Sequence, residues 1–255
     1  MKKKDKKVNA AILIIGDEIL SGRTQELNVA FISKWLNDSC GILVEEVRVI
    51  PDLEKTIIKT IKELSKKFNY VFTTGGIGPT HDDITAKSIS KAFKVKYEFH
   101  KVAYNILENY YGKKNFNEGR KKMAKMPKNS SLILNPSSGA PGFKIKNVFC
   151  LPGVPSILKS MIYNCRIFLK KGSKKISCTI NVQTVESNIA KDLSKIQSKY
   201  KNVNIGSYPF FRLGKVGVSL VLRSTSKIIL NKCSNHLKSI LKLKKVKLFK
   251  YSLTK

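Results

Sequence analysis

Continuous apolar runs alternate with amphipathic segments over the first two-thirds of the chain. The run from Val8 to Ile15 is typical of a strand buried on both faces of a parallel sheet. Apolar residues then recur at helical spacing over 27–36, and Gly41 is expected to end that helix. Because parallel strands need helical crossovers, this alternation predicts an α/β domain with a mostly parallel sheet between two helical layers, a three-layer αβα arrangement.

Further elements are predicted along the same stretch. Asp52 is expected to cap a helix whose apolar stripe runs to Phe68. The predicted strands are 42–50, 70–74 and 148–151, and the other predicted helices are 84–93, 97–109 and 155–170.

A polar break at residues 170–175 (KKGSKK) predicts a domain boundary, with domains at 1–172 and 173–255. Beyond the break, the signals follow the order strand, helix, strand, strand, helix, strand. That β-α-β-β-α-β order is typical of a small ferredoxin-like α+β domain. The predicted strands are 176–184, 203–208, 215–224 and 246–253, and the predicted helices are 187–200 and 227–242.

The chain has 255 residues, 49 of them Lys or Arg against 17 Asp or Glu, and a net charge of +32. Only six of the basic residues are Arg, and the lysines are spread along the chain. Phosphate-reading surfaces favour the arginine fork, so we expect no specific nucleic-acid binding, although anionic small molecules would be attracted. No apolar run is long enough for a membrane span or a secretion signal, which predicts a cytoplasmic protein without membrane association. Five scattered Cys and three His argue against a disulfide framework or zinc site.

Residues 73–85 (TTGGIGPTHDDIT) carry the strongest functional signal. They join a predicted strand to a predicted helix, at the sheet edge where α/β proteins bind ligands. Three glycines, Gly75, Gly76 and Gly78, allow close approach of the backbone to an anion. Thr80 and Asp83 have the spacing of a capping box. There is no Gly-Lys-Ser/Thr, which excludes a P-loop, and the dinucleotide motif lacks its third glycine.

Asp82 and Asp83 would repel a bare phosphate at this edge. A phosphate and two carboxylates coexist most easily with a divalent cation between them, and Mg²⁺ typically binds one or two carboxylates together with phosphate oxygens. The alternative interpretation is that both residues only cap a helix.

Three other loops carry candidate residues, and the first of them, which follows the first strand, is expected at the same sheet edge. Residues 16–28 (GDEILSGRTQELN) follow the first strand and bring carboxylates, hydroxyls and amides. Residues 135–143 (NPSSGAPGF) and 151–156 (LPGVPS) are rigid loops, the second just before a helix N-terminus. The ligand-binding candidates in these loops are Ser21, Gly22, Asn28, Ser138, Gly139, Pro152 and Gly153. Ordinary loops and turns remain the alternative for each of these segments.

Residues 14–28, 73–85 and 151–155, in this order along the chain, resemble the MoaB/Mog-type molybdopterin-binding domain, and more narrowly the domain in CinA-type proteins and eukaryotic FAD synthases. The resemblance covers residues 9–172 well and reaches 204–209 more weakly. It implies a three-layer αβα fold, a homo-oligomer with a dimer favoured, and a ligand site at the Gly-Gly-x-Gly loop. It also implies that Asp52 and Asp83 support metal-dependent chemistry.

The resemblance implies divalent-metal-dependent cleavage of ADP-ribose or FAD, with release of AMP. Asp83 and Asp52, joined by Asp17 or Asp82, would hold the cation, and His81 is a candidate general acid or phosphate donor. For His81 the alternative is a solvent-facing residue at a helix start. Two other functions stay open: binding or adenylylation of molybdopterin or a related pterin, and nucleotide binding without turnover. CinA proteins often carry an amidase-type domain and FAD synthases an adenylyltransferase domain, and we expect neither activity here.

Overall fold

The computed structural model describes residues 8–212 and 214–254, so the first seven residues of the predicted N-terminal domain lie outside the described part. The chain forms two compact units, Met1–Ser173 and Lys174–Lys255. The boundary between the units lies inside the polar segment 170–175.

A six-stranded sheet forms the centre of the first unit. Its strands are β1 (Asn9–Ile15), β2 (Leu43–Ile50), β3 (Tyr70–Thr74), β6 (Ser131–Ile133), β7 (Gly142–Ile145) and β8 (Val148–Leu151), and β4 (Tyr97–Phe99) pairs separately with β5 (Lys125–Pro127). The strand order is β2-β1-β3-β8-β7-β6. The first four strands in that order are parallel, whereas β7 pairs antiparallel with β8 and β6 pairs antiparallel with β7. The prediction of a mostly parallel sheet is therefore confirmed.

Helices cover both faces of this sheet. They are α1 (Asp17–Leu20), α2 (Asn28–Trp35), α3 (Glu54–Lys67), α4 (Thr85–Phe93), α5 (Lys101–Tyr111), α6 (Glu118–Lys122) and α7 (Pro155–Met161). Leu13 of β1 packs in one apolar core with α3, α4 and α5, while its neighbour Ile12 packs in a second core with α2 and α7. Because successive strand residues point to opposite faces of the sheet, β1 is buried on both faces by a helical layer. The prediction of a three-layer αβα arrangement is therefore confirmed.

Several predicted boundaries were wrong. A short strand, β4, stands where the helix 97–109 was expected to begin, and the helix opened by Pro155 changes to 3-10 geometry over Ile162–Phe168. The predicted end of the first long helix is confirmed: α2 continues as a π-helical turn to Cys40, and Gly41 ends it with a left-handed backbone. Asp52 does not cap α3, because Leu53 occupies that position without a side-chain cap.

The second unit is a four-stranded antiparallel sheet with two helices. Its elements are β9 (Ile176–Gln183), α8 (Glu186–Lys199), β10 (Asn204–Arg212), β11 (Lys215–Ser224), α9 (Lys227–Leu243) and β12 (Lys247–Thr254). The strand order β10-β11-β9-β12 places the first and third strands of the unit at its centre, consistent with the predicted ferredoxin-like pattern. Across the described residues, no helix has the length and apolar character to cross a membrane.

Candidate active site

Three loops that follow β1, β3 and β8 meet a fourth loop around one cleft of about 480 Å³. Since these three strands are parallel, their carboxyl ends share one edge of the sheet, where α/β folds bind ligands. The lining residues are Glu18, Thr24, Gly75–Pro79, Asp83, Met123, Asn135, Ser138, Ala140, Pro141, Pro152–Pro155 and Ile157.

Gly75 turns the chain sharply away from β3. Its φ is +99°, a backbone conformation that side chains rarely allow, and a Cβ here would lie 2.1 Å from the carbonyl oxygen of Ile15. Its N–H donates to the carbonyl of Leu151 at 3.2 Å. Gly75 therefore ties the ends of β1, β3 and β8 together.

The next three residues leave their N–H groups available to a ligand. Among the described residues, no hydrogen bond from the N–H of Gly76, Ile77 or Gly78 is found, whereas the Gly76 carbonyl accepts from the Thr85 N–H at 3.0 Å. Consecutive open N–H groups in a turn form an anion-binding concavity. These open N–H groups are compatible with the predicted phosphate-binding role of the loop, which stays a prediction.

Asp83 lies beside Gly78, at the end of the glycine loop. Its Oδ2 accepts from the Thr80 N–H at 2.8 Å and from the Thr80 hydroxyl at 2.6 Å. These two residues do form a local bridge, but α4 begins only at Thr85, so the predicted capping box at a helix start was wrong. The bridge instead fixes the Asp83 carboxylate beside Gly78, where a Cβ would lie 2.7 Å from Oδ2.

Asp52 lies half-buried beneath the same loop. Its Oδ2 accepts from the Asp17 N–H at 3.0 Å, and its Oδ1 would be 3.5 Å from a Cβ on Gly76. Burial raises the pKa of Asp52, and the negative charges of Asp17, Glu18 and Asp82 raise it further against the Asp17 hydrogen bond. Asp52 thus lies in a region of negative charge that a cation would relieve.

The other side of the cleft is held rigid by asparagines. Asn135 accepts from the N–H groups of Ser137 and Ser138 through Oδ1, and its Nδ2 donates to the Ala140 carbonyl at 2.9 Å. Buried Asn28 donates to the Gly153 carbonyl at 2.8 Å. Asn28 therefore acts as a support for the cleft wall and does not line the cleft.

The structure brings together only part of the predicted set. Seven predicted residues line the cleft: Gly75, Gly76, Gly78, Asp83, Ser138, Pro152 and Gly153. Seven others do not line it: Asp17, Ser21, Gly22, Asp52, Thr80, His81 and Asp82, all exposed except the half-buried Asp52. Gly139 also lies outside the lining, against Tyr110.

The cleft also has an apolar side that sequence reasoning missed. Ile77, Met123, Val154 and Ile157 contribute to it. Three of these residues lie in or beside segments that the sequence analysis singled out, but Met123 follows α6, far from any recognisable motif. No local pattern could have placed that residue at the site.

A metal site made only of protein ligands is absent from this part of the molecule. Within residues 8–212 and 214–254, no three His, Cys, Asp or Glu side chains are close enough to hold a metal ion together. A Mg²⁺ ion that shares its coordination with water and phosphate needs only one or two carboxylates. The available donors therefore fit a cation that binds together with a substrate.

An αβα unit with a glycine-rich, carboxylate-flanked cleft at the sheet edge defines a class of small-molecule-binding α/β domains. Residues 11–171 match the family model described as "Probable molybdopterin binding domain", and the chain belongs to this family. Residues 174–250 match the model "FAD synthase, middle domain".

Individual relatives agree with this assignment. A protein of Sulfolobus acidocaldarius is 32% identical over 249 residues, covering 91% of this chain and 94% of that protein. A CinA-like protein of Sulfurihydrogenibium is 37% identical over 176 residues, which cover 66% of this chain but 44% of the relative. The solved structure of the protein CinA from Thermoplasma acidophilum is 30% identical, with a TM-score of 0.59, covering 64% of this chain and 98% of that one. The chain is therefore CinA-like.

Proposed function

We propose that this chain is a divalent-metal-dependent pyrophosphatase that cleaves an adenosine dinucleotide, ADP-ribose or FAD, and releases AMP. The observation that carries the proposal is the juxtaposition of open backbone N–H groups at Gly76–Gly78 with the carboxylates of Asp83 and Asp52. A protein that only binds phosphate has no need of carboxylates beside it, because they repel the ligand.

The shape of the cleft suits a substrate with a charged centre and a flat apolar end. Its volume of about 480 Å³ lies within the usual range of about 300–1,000 Å³ for ligand pockets. The Gly76–Gly78 backbone would bind the pyrophosphate, and the apolar side at Met123 and Ile157 would accept a ring. The Ser138 hydroxyl, which accepts from Asn135 Nδ2 at 2.7 Å, would donate a hydrogen bond to a substrate oxygen.

Asp83 and Asp52 are the carboxylates that would hold the cation, together with substrate phosphate oxygens and water. Each uses one oxygen within the protein, Asp83 toward Thr80 and Asp52 toward the Asp17 N–H, so each is oriented and keeps a second oxygen for a ligand. When bound, a divalent cation would activate water and neutralise the charge that grows on the bridging oxygen. Asp83 reaches the cleft directly, whereas Asp52 acts from beneath Gly76.

A panel of substrates against metals tests the proposal. The purified chain is incubated with ADP-ribose, FAD or NAD and with Mg²⁺, Mn²⁺ or Co²⁺, and AMP is quantified by chromatography. We expect AMP release that requires the metal and that chelator abolishes. The absence of AMP from every combination would refute the pyrophosphatase.

The family match favours one second candidate, a pterin ligand such as molybdopterin. The same open N–H groups would bind its phosphate, and the apolar side would accept the pterin ring. Pterin fluorescence that co-purifies with the chain, without AMP release from any dinucleotide, would favour this function over hydrolysis.

A further inference from the structure

A second cavity, of about 420 Å³, opens at the edge of the six-stranded sheet where β1 and β3 begin. Both strands end at the glycine-loop cleft, so the cavity lies at the opposite edge, and it shares no lining residue with the cleft. Its volume lies within the usual range of about 300–1,000 Å³ for ligand pockets, which leaves room for a small molecule. The lining residues that matter for its chemistry are Val8, Tyr70, Lys144, Lys146, Phe168 and Lys170.

Three lysines border this cavity without a carboxylate partner. Within residues 8–212 and 214–254, no ion pair of Lys144, Lys146 or Lys170 is found, and no Asp or Glu lines the cavity. Other lysines of the same unit are paired, since Lys67 and Lys91 contact glutamates at 2.6 and 2.8 Å. Like charges around one cavity repel each other, and a bound anion relieves that repulsion. The cavity therefore favours a ligand with several negative charges.

Aromatic rings orient two of the three ammonium groups. Nζ of Lys144 lies 5.3 Å from the ring centroid of Phe168, and Nζ of Lys146 lies 4.6 Å from the ring centroid of Phe93. The backbone of the third lysine is fixed by a buried tyrosine, because the Lys170 N–H donates to the Tyr70 hydroxyl at 2.9 Å. Charges that are positioned before a ligand arrives lower the entropy cost of binding it.

The β7–β8 hairpin, which carries two of these lysines, is anchored to the body of the unit. Asn147 Nδ2 donates to the carbonyls of Ser65 and Phe68, both at 2.9 Å. Lys146 has a φ of +50°, a left-handed conformation that glycine or asparagine adopts at less cost. The turn alone therefore does not explain a lysine at this position.

Apolar surface completes the cavity. Val8 and Tyr70 are buried and Phe168 is half-buried, and all three line it. Lysine binds phosphate as a point charge, and an aromatic surface accepts a flat ring. A ligand that uses both kinds of surface carries phosphate groups at one end and a ring at the other.

We propose that this cavity binds a nucleoside di- or triphosphate, with the ammonium groups of Lys144, Lys146 and Lys170 on the phosphates. The base would lie against the rings of Phe168 and Tyr70. Binding needs no metal ion, because the lysines supply the positive charge and no carboxylate lines the cavity. The inference does not rest on the proposed pyrophosphatase, since the two sites lie at opposite edges of the sheet.

Calorimetric titration of the full chain with ATP, in EDTA and at physiological salt, tests the proposal. Lys144→Gln/Lys146→Gln removes two charges from the cavity, and Lys59→Gln/Lys62→Gln is the matched control, because it removes two exposed charges from α3. We expect a Kd for ATP at least tenfold weaker in the cavity variant and within twofold of wild type in the control. Inorganic triphosphate should bind wild type at least threefold more weakly than ATP, because it has no base.

Photolabelling with 8-azido-ATP in the same buffer locates the site. We expect labelled peptides that contain Phe168 or Tyr70, and loss of that label in the cavity variant. An unchanged Kd in the cavity variant, an equal loss in the control, equal affinity for ATP and triphosphate, or labelling confined to residues 75–78 would each overturn the proposal.

A second variant covers the case in which the hairpin variant does not fold. Lys170→Gln leaves the hairpin intact and should weaken ATP binding at least threefold, and an unchanged Kd would again overturn the proposal. AMP release from ADP-ribose is measured on the same samples and should not change in either cavity variant. A chain that binds ATP at the cavity without releasing AMP refutes only the pyrophosphatase, and AMP release without cavity binding refutes only this inference.

Discussion

Replacing Asp83 by Asn separates a structural role of this carboxylate from a catalytic one. Oδ2 accepts two hydrogen bonds from Thr80, at 2.8 and 2.6 Å. Hydrogen bonds to a charged group contribute ~1.5–3 kcal/mol and neutral ones ~0.5–1.5 kcal/mol. Asn keeps an accepting oxygen, and solvent weakens the charge effect in this exposed turn. We therefore expect a loss of about 1 kcal/mol, or about 2–4 °C in Tm for a domain of this size.

The effect on turnover should be far larger. A residue that helps to hold the cation stabilises charge in the transition state, so Asp83→Asn should lower AMP release at least 100-fold, about 2.7 kcal/mol in barrier height. Calorimetry and the AMP assay are run on the same preparations. Asp82→Asn is the matched neighbour, because Asp82 is exposed and outside the cleft lining, and it should stay within about threefold of wild type. If Asp83→Asn also retains activity within threefold, the catalytic interpretation of the loop is wrong.

Three other predictions follow from the same geometry. Gly75→Ala places a Cβ 2.1 Å from the Ile15 carbonyl at positive φ and should cost about 3 kcal/mol or more in urea unfolding, whereas Gly22→Ala, with positive φ but open space, should cost about 1 kcal/mol. Because the pKa of Asp52 is raised in the folded chain, its contribution to stability is present below the unfolded pKa near 4 and is lost as pH rises through the folded pKa. The Tm of Asp52→Asn minus that of wild type should therefore grow between pH 4 and 7, and a constant difference would contradict this. Limited proteolysis should cut first within residues 170–175 and leave a fragment of roughly 170 residues; early cleavage inside 40–90 would contradict that assignment.

The sequence predicts the parallel strands and most helices of the first unit because each carries its own hydrophobic period. β1 is readable from residues 8–15 alone, since burial on both faces leaves almost no polar position in it. The three-residue strand β4 was not readable, because a strand that short has no period to detect and its partner β5 is more than 25 residues away. Its residues instead extended the apolar pattern of the helix that follows.

The sequence predicts only those parts of the candidate site that lie in loops directly after the parallel strands. Parallel topology brings the loops after β1, β3 and β8 to one edge, which is why Gly75–Gly78 and Gly153 line the same cleft. Met123 reaches the cleft through tertiary packing of α6, which no spacing rule encodes. Asp52 has the position of a helix cap because aspartate before an apolar stripe usually is one. In the structure its Oδ2 instead accepts from the N–H of Asp17, the first residue of α1, and Leu53 stands at the cap position.

The structure requires glycine at positions 75, 76 and 78 for a reason that the sequence does not suggest. Read from the sequence alone, they allow a ligand to approach the backbone. In the structure, each also makes room for a group of the protein itself: the Ile15 carbonyl at Gly75, the Thr85 hydroxyl at Gly76 and the Asp83 carboxylate at Gly78. One of those three groups, the Asp83 carboxylate, is a cation ligand in the proposed function. The glycine at position 78 therefore sets how closely this carboxylate can approach the phosphate-binding backbone, and an alanine there would displace Asp83 even where the backbone could adapt.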